Sequence, residues 1–208
     1  ATHRDIANQV VENKFREDLF YRIHVFMIRT PTLKERKDDI LLLAENFLQE
    51  FPNIKTIAIA SEEKILRAWE GLGYYNRVRN LQKTAQTILQ DYEGKFPSDA
   101  ETLETLPGVG RYTAGAVSSF AFDHPAPIVD GNIARVLSRL LDYHKEVDSS
   151  EGQKVIWKTA GELLAPSKAR LFNSALMELG QTICSPKSLN CLKCPVQSFC
   201  KTNDPSSL

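Results

Sequence analysis

All four cysteines of this chain fall in its last 25 residues, at Cys184, Cys191, Cys194 and Cys200. The spacing C-x6-C-x2-C-x5-C restricts the fold more tightly than anything else in the sequence. Secreted disulfide proteins spread their cysteines through the chain. A cluster at one end, with no export signal ahead of it, points to a metal site. Structural zinc usually takes two C-x2-C pairs; here there is one, flanked by single cysteines. A [4Fe–4S] cluster accepts uneven spacing because each cysteine holds a different iron corner. The spacing therefore favours an iron–sulfur cluster, with zinc as the alternative. Pro186 and Pro195 favour a fixed loop around it.

Ahead of the cysteines, apolar residues recur at helical spacing almost throughout. Asp38 to Phe51 (DDILLLAENFLQEF) reads as an amphipathic helix. Ser61 marks a helix start before Glu62 and Glu63, and Arg77 to Tyr92 reads as a longer helix stopped near Gly94. Ser98 opens a capping box before a short helix ending near Thr105. Arg111 to Phe122 is a further helix, rich in small residues. Asn132 is placed as the cap of a helix from Ile133 to about Leu141, and Ser150 as the cap of the next. Arg170 to Ile183 makes the last. One segment differs: Ile23 to Ile28 (IHVFMI) is β-prone. No stretch approaches the roughly 20 apolar residues of a membrane helix. A cytosolic protein is the default expectation.

Leu106-Pro107-Gly108-Val109-Gly110 lies between two expected helices. Two glycines so placed permit a tight turn with positive φ and leave bare backbone amides at the next helix start. Such amides bind a phosphate without side-chain charge; a plain helix–helix turn is the alternative. The point matters because Lys plus Arg equals Asp plus Glu, 26 each. Any DNA binding must rest on local arrangement, not bulk charge. Asp130 follows Gly110 by one helix and one loop, so it can return beside the hairpin. Taken alone, it reads as an ordinary Asp-Gly turn.

The runs LPGVGRYTAGAV and VDGNIARVLSR, followed by the cysteine tail, resemble the helix-hairpin-helix glycosylases of the endonuclease III superfamily. GLGYYNRVRNL (71–81) and FNSALMELG (172–180) are most similar to the adenine DNA glycosylases, over about residues 46–203. The resemblance implies a mainly α fold: a truncated six-helix barrel (48–128), an iron–sulfur cluster domain (129–208) and a foreign N-terminal segment (1–47). It implies excision of mispaired adenine, opposite 8-oxoguanine or guanine, from double-stranded DNA by N-glycosidic hydrolysis. Asp130 would stabilise positive charge building on the sugar, with Asn132 orienting groups around it. Bifunctional relatives carry a lysine nucleophile where this chain has Tyr112, so strand cleavage by lysine chemistry is not implied. Tyr112 would assist near the sugar or pack in the core. Leu72 and Tyr74 would press into the base stack; one of Tyr74 and Tyr75 is expected in the core. Arg77 and Arg79 would meet phosphate or line a solvated face. Leu106, Gly108, Val109 and Gly110 would hold the DNA backbone. Cys184, Cys191, Cys194 and Cys200 would ligate a [4Fe–4S] cluster.

The family's general-acid glutamate and its Gln-Gln-Thr run have no counterpart in the sequence. Counting back from Phe51-Pro52, the glutamate's place falls near Arg29, and a cation there is the wrong chemistry for a proton donor. The sequence given ends just after the cysteines, ahead of the domain that in this family recognises oxidised guanine. Residues 1–47 instead resemble the AAA+ domain of bacterial enhancer-binding activators, through ATHRD, FREDLFYRI and LKERKDDILLLAENFL. Arg16 and Arg22 match its arginine-finger positions, yet no G-x-x-x-x-G-K-[ST] loop occurs in the sequence to hold a nucleotide. A chimera of two gene fragments is the simplest account. A non-catalytic DNA-binding iron–sulfur module and an AAA+ regulatory remnant are the alternative functions.

Overall fold

A computed structural model of the chain describes residues 6–23, 35–187 and 189–202. Among them every regular element is helical, apart from one isolated antiparallel bridge between Cys184 and Leu189. None of these helices is long and apolar enough to cross a membrane. The chain divides into two compact units, Ala1–Phe47 and Leu48–Leu208.

The first unit holds α1 (Ile6–Val11), α2 (Glu17–Ile23) and most of α3 (Asp38–Glu50). Ile23 closes α2, so the expected strand starts inside a helix; its remaining residues lie outside those described.

The second unit runs through α4 (Ile54–Ile59), α5 (Glu62–Ala68), α6 (Tyr75–Asp91) and α7 (Ala100–Glu104). It continues with α8 (Arg111–Phe122), α9 (Gly131–Leu141), α10 (Ser150–Leu163) and α11 (Ala169–Thr182). Two short 3-10 turns, Cys191–Lys193 and Gln197–Phe199, follow. Side chains satisfy the orphan amides at most of the helix starts. Ser61 accepts from the Lys64 amide at 3.3 Å, as its sequence context implies. Helix α4 was not legible in the sequence; a reciprocal box between Asn53 and Thr56 starts it.

Three expected caps are displaced by one or two residues. Asp99 rather than Ser98 caps α7, accepting from the Thr102 amide at 2.8 Å. Ser149 rather than Ser150 caps α10. Asp130 rather than Asn132 caps α9. In each case the capping residue has extended backbone, which lets its side chain fold back onto an amide three residues on. Asn132 is already within the helix and cannot do this.

Two apolar clusters pack around the site region of this unit. Ile88, Leu103, Leu106 and Ala114 form one, beneath α6 and α7. Ile128, Ile133, Leu137, Ile156 and Ala160 form the other, between α9 and α10. Helix α8 serves both, giving Ala114 and Val117 to the first and Ala116 and Phe120 to the second. The expected subdivisions 48–128 and 129–208 therefore lie within one unit, joined through α8. The small residues of α8 have a use here. A Cβ on Gly115 would sit 2.4 Å from the Pro127 carbonyl oxygen, so the helix backbone passes directly against the segment leading to Asp130.

Candidate active site and cysteine cavity

The hairpin between α7 and α8 is tight at one glycine only. Gly108 has φ +73, and a Cβ there would lie 2.3 Å from Asn80 Nδ2, so conformation and space both require glycine. Gly110 differs from expectation: its φ is −92, ordinary extended backbone, with open space where a side chain would be. No side chain caps α8, which leaves its first amides open to an anion. The Val109 amide closes the turn on the Leu106 carbonyl at 3.1 Å, and Thr84 Oγ1 donates to the Pro107 carbonyl at 2.8 Å. Leu106 is only 3% exposed and Val109 is half-buried against the same core. The Leu106 side chain anchors the hairpin from below. What the hairpin offers outward is backbone.

One turn along, the Arg111 guanidinium lies over the Trp157 ring, 4.0 Å from its centroid. Tyr112 is 38% exposed, so it is not the core aromatic that was one reading of it.

Asp130 is fixed through both carboxylate oxygens. Oδ1 accepts from the Ile133 amide at 2.7 Å, and Oδ2 accepts from Asn132 Nδ2 at 3.1 Å. Asn132 is held in turn by Arg135, whose Nη2 donates to Asn132 Oδ1 at 2.8 Å and to the Gly180 carbonyl at 2.7 Å. Arg135 Nε also donates to the Cys184 carbonyl at 2.9 Å. A continuous chain of hydrogen bonds thus runs from the carboxylate to the first cysteine. Helix α11 crosses close above it: a Cβ on Gly180 would come within 2.8 Å of Asn132 Cβ. Asn173, 1% exposed, donates to the Ala126 carbonyl at 3.0 Å and pins the approach to Asp130 from the other side. Arg135 and Asn173 stand in the runs VDGNIARVLSR and FNSALMELG but were not singled out. Arg135 reaches Gly180 and Cys184, and Asn173 reaches Ala126, 45 to 49 residues away in sequence.

The turn before α6 projects outward. Tyr74 is 77% exposed in left-handed backbone, φ +50, and Arg77 stacks on its ring at 4.9 Å. Leu72 is half-buried behind it, and Trp69 Nε1 braces the loop by donating to the Gly73 carbonyl at 2.9 Å. Arg79 points elsewhere: its Nε pairs with Glu62 at 2.7 Å. Neither Tyr74 nor Tyr75 is buried, so the core role expected for one of them is not found.

The cysteines are free thiols lining one cavity of about 300 Å³, with Arg139, Ile183, Gln197 and Thr202. Among the described residues no three cysteine, histidine or acidic side chains are grouped to hold a single metal ion. The four thiols of this cavity are the groups that would hold a metal centre. The donor set, four thiols and no carboxylate between residues 183 and 202, suits iron–sulfur chemistry.

A helical hairpin with open amides, a doubly anchored aspartate and a cysteine-lined cavity define a class of DNA-repair fold. Residues 38–161 match the family model described as HhH-GPD superfamily base excision DNA repair protein, and the chain belongs to that superfamily. It is 44% identical to the adenine DNA glycosylase of Rattus norvegicus over 158 residues, 76% of this chain and 31% of that protein. It is 40% identical to the adenine DNA glycosylase of Buchnera aphidicola, over 75% of this chain and 44% of that protein. The chain thus spans less than half the length of these relatives. Among solved structures, a thermostable thymine-DNA glycosylase superposes with TM-score 0.68 and 29% identity, covering 77% of this chain and 74% of that one. A non-covalent endonuclease III–DNA complex superposes with TM-score 0.64 at 22% identity, over 93% and 94%. That likeness is one of fold. A second family model, the Sigma-54 interaction domain, matches residues 1–29. Two unrelated family matches on adjoining stretches are what a junction of two sequences produces.

Proposed function

We propose that the second unit is the catalytic core of an adenine-specific DNA glycosylase. It would remove adenine mispaired with 8-oxoguanine or guanine from double-stranded DNA, acting as a monomer. The observation that carries this reading is the Asp130 carboxylate, held by the Ile133 amide and Asn132. A glycosidic bond breaks through a sugar with oxocarbenium character, and a fixed carboxylate stabilises that charge without reorganising. The open amides of α8 would take a backbone phosphate beside the target nucleotide. Tyr74, exposed and braced through Trp69 and Gly73, suits insertion into the stack as the base leaves it. Tyr112 has no amine, so the reaction ends at an abasic site.

Cys184, Cys191, Cys194 and Cys200 would hold a [4Fe–4S] cluster. Bound there, the cluster supplies a covalent tie for the C-terminal loop and a one-electron redox centre, not the hydrolytic chemistry. The protein's own residues fix Asp130, hold the hairpin and expose the wedge.

A second reading has its own support. The family's general-acid glutamate falls near Arg29 by position, outside the described residues, and arginine does not donate a proton to a leaving adenine. On that reading the chain binds mispaired DNA without cutting the bond. A single-turnover assay on adenine opposite 8-oxoguanine decides between them. Abasic product that disappears in Asp130→Asn supports excision. Duplex retention without product supports the binding module. A G·T duplex run in parallel tests thymine as the excised base.

A further inference from the structure

Arg139 is 3% exposed and lines the cysteine cavity. A guanidinium stays charged in a protein, and a buried charge is costly unless strong acceptors or opposite charge surround it. Nη1 donates to the Ser185 carbonyl at 3.1 Å, the Cys184 carbonyl at 3.2 Å and Cys184 Sγ at 3.4 Å. The backbone carbonyl of the same residue accepts from Cys200 Sγ at 3.5 Å and from the Thr202 hydroxyl. One residue therefore touches the first and last cysteines of the loop. Arg135, one helical turn earlier, donates to the Cys184 carbonyl but makes no bond to sulfur. Lys187, Lys193 and Lys201 also carry positive charge here, but all three are exposed.

We propose that Arg139 tunes the cluster: its buried charge, hydrogen-bonded to the Cys184 sulfur, raises the reduction potential by favouring the more electron-rich state. The proposal rests on the reading that these cysteines hold an iron–sulfur cluster. Four thiolates make such a cluster's environment anionic, and one added electron makes it more so. A buried cation at hydrogen-bond distance stabilises the reduced form more than the oxidised form. A hydrogen bond to a ligating sulfur acts in the same direction. The exposed lysines do less, because solvent and salt screen them.

The test uses the full chain with Arg139→Met, Arg139→Lys and, as a control, Lys193→Met. Iron and sulfide per chain, with absorbance near about 400 nm, report whether a cluster is present. Film voltammetry reports the one-electron potential. Arg139→Met is expected to weaken the preference for the reduced cluster by about tenfold or more, at about 59 mV per tenfold, towards more negative potential. Lys193→Met is expected to shift it by less than about threefold. An Arg139→Met protein that keeps its cluster at the parent potential overturns the proposal. If Arg139→Met holds no cluster, Arg139→Lys decides. A lysine variant with its cluster within about threefold of the parent supports the role of charge. Loss of the cluster in that variant as well means that shape alone matters, and overturns it. A parent chain that purifies with zinc or without iron sinks the cluster reading itself, and that result is visible before any variant is made.

Discussion

Helices α2 and α9 differ in what they bury. Helix α9 sinks Ile133, Val136, Leu137, Ser138 and Arg139 into the protein, whereas α1 and α2 bury no residue. Val11, Tyr21 and Ile23 of the first unit are exposed although all are apolar or aromatic. Helices of 6 and 7 residues are far below the length at which a helix is stable alone in water, so they depend on packing. Among the described residues, Phe47 of α3 is the one buried side chain of the first unit, whereas each of α4–α11 buries at least one. The first unit also carries the separate family match over residues 1–29.

The contrast can be tested by substitution in each unit, and the largest effect belongs to the aspartate. Asp130→Asn keeps the volume and the cap but removes the charge that, on the proposed mechanism, would meet the oxocarbenium-like sugar. Single-turnover excision should fall by about 10²–10³-fold, with duplex affinity nearly unchanged. An equal loss of binding would mean that Asp130 supports the fold and not the chemistry. Next comes Arg135→Leu. It releases Asn132, and with it the orientation of the Asp130 carboxylate. Small misplacement of a catalytic group costs up to about 10²-fold in rate, so the excision rate should fall by roughly tenfold to a hundredfold. Excision at the parent rate would show that Ile133 alone is enough to hold Asp130.

Packing gives a smaller and more direct comparison. Gly115→Ala drives a Cβ against the Pro127 carbonyl oxygen, backbone against backbone, where neither side can give. Overpacking of this kind costs about 1–3 kcal/mol, which denaturant melts would read as a lower midpoint. Tyr21→Ser in the first unit removes an exposed ring and should stay within about 0.5 kcal/mol. Comparable losses at the two positions would show that the first unit contributes a real core.

Much of this was legible in the sequence because local rules govern it. The bounds of α8 follow from the glycine turn and helical periodicity, and they agree with expectation to the residue. The caps at Asp99, Asp130 and Ser149 were missed by one or two positions. Neighbouring serine, aspartate and asparagine residues are chemically equivalent as caps, and only backbone conformation chooses among them. The surroundings of Leu106 and Arg79 were not legible for another reason. Whether a side chain in a hairpin faces the core, or an arginine finds a glutamate, depends on residues distant in sequence. The same holds for Arg135, Asn173 and Arg139: their types were visible, but their partners belong to the tertiary structure.

The smallest predicted effect concerns acid. Asp99, which caps α7, has its carboxyl held below the ordinary value of 3.8, first by the Thr102 amide and then by the Thr102 hydroxyl. A carboxyl with a depressed folded-state pKa contributes stability that is full above its unfolded value. That contribution is lost as pH falls through the folded one. Asp99→Asn keeps a good cap but cannot titrate. The parent's advantage over Asp99→Asn should therefore be constant at neutral pH and shrink from about pH 5 downward. Paired denaturant melts at neutral pH and near pH 3 measure this. A difference that stays the same at both values would show that the Thr102 contacts act on the charged and neutral carboxyl alike. The cap would then owe its worth to geometry and not to charge.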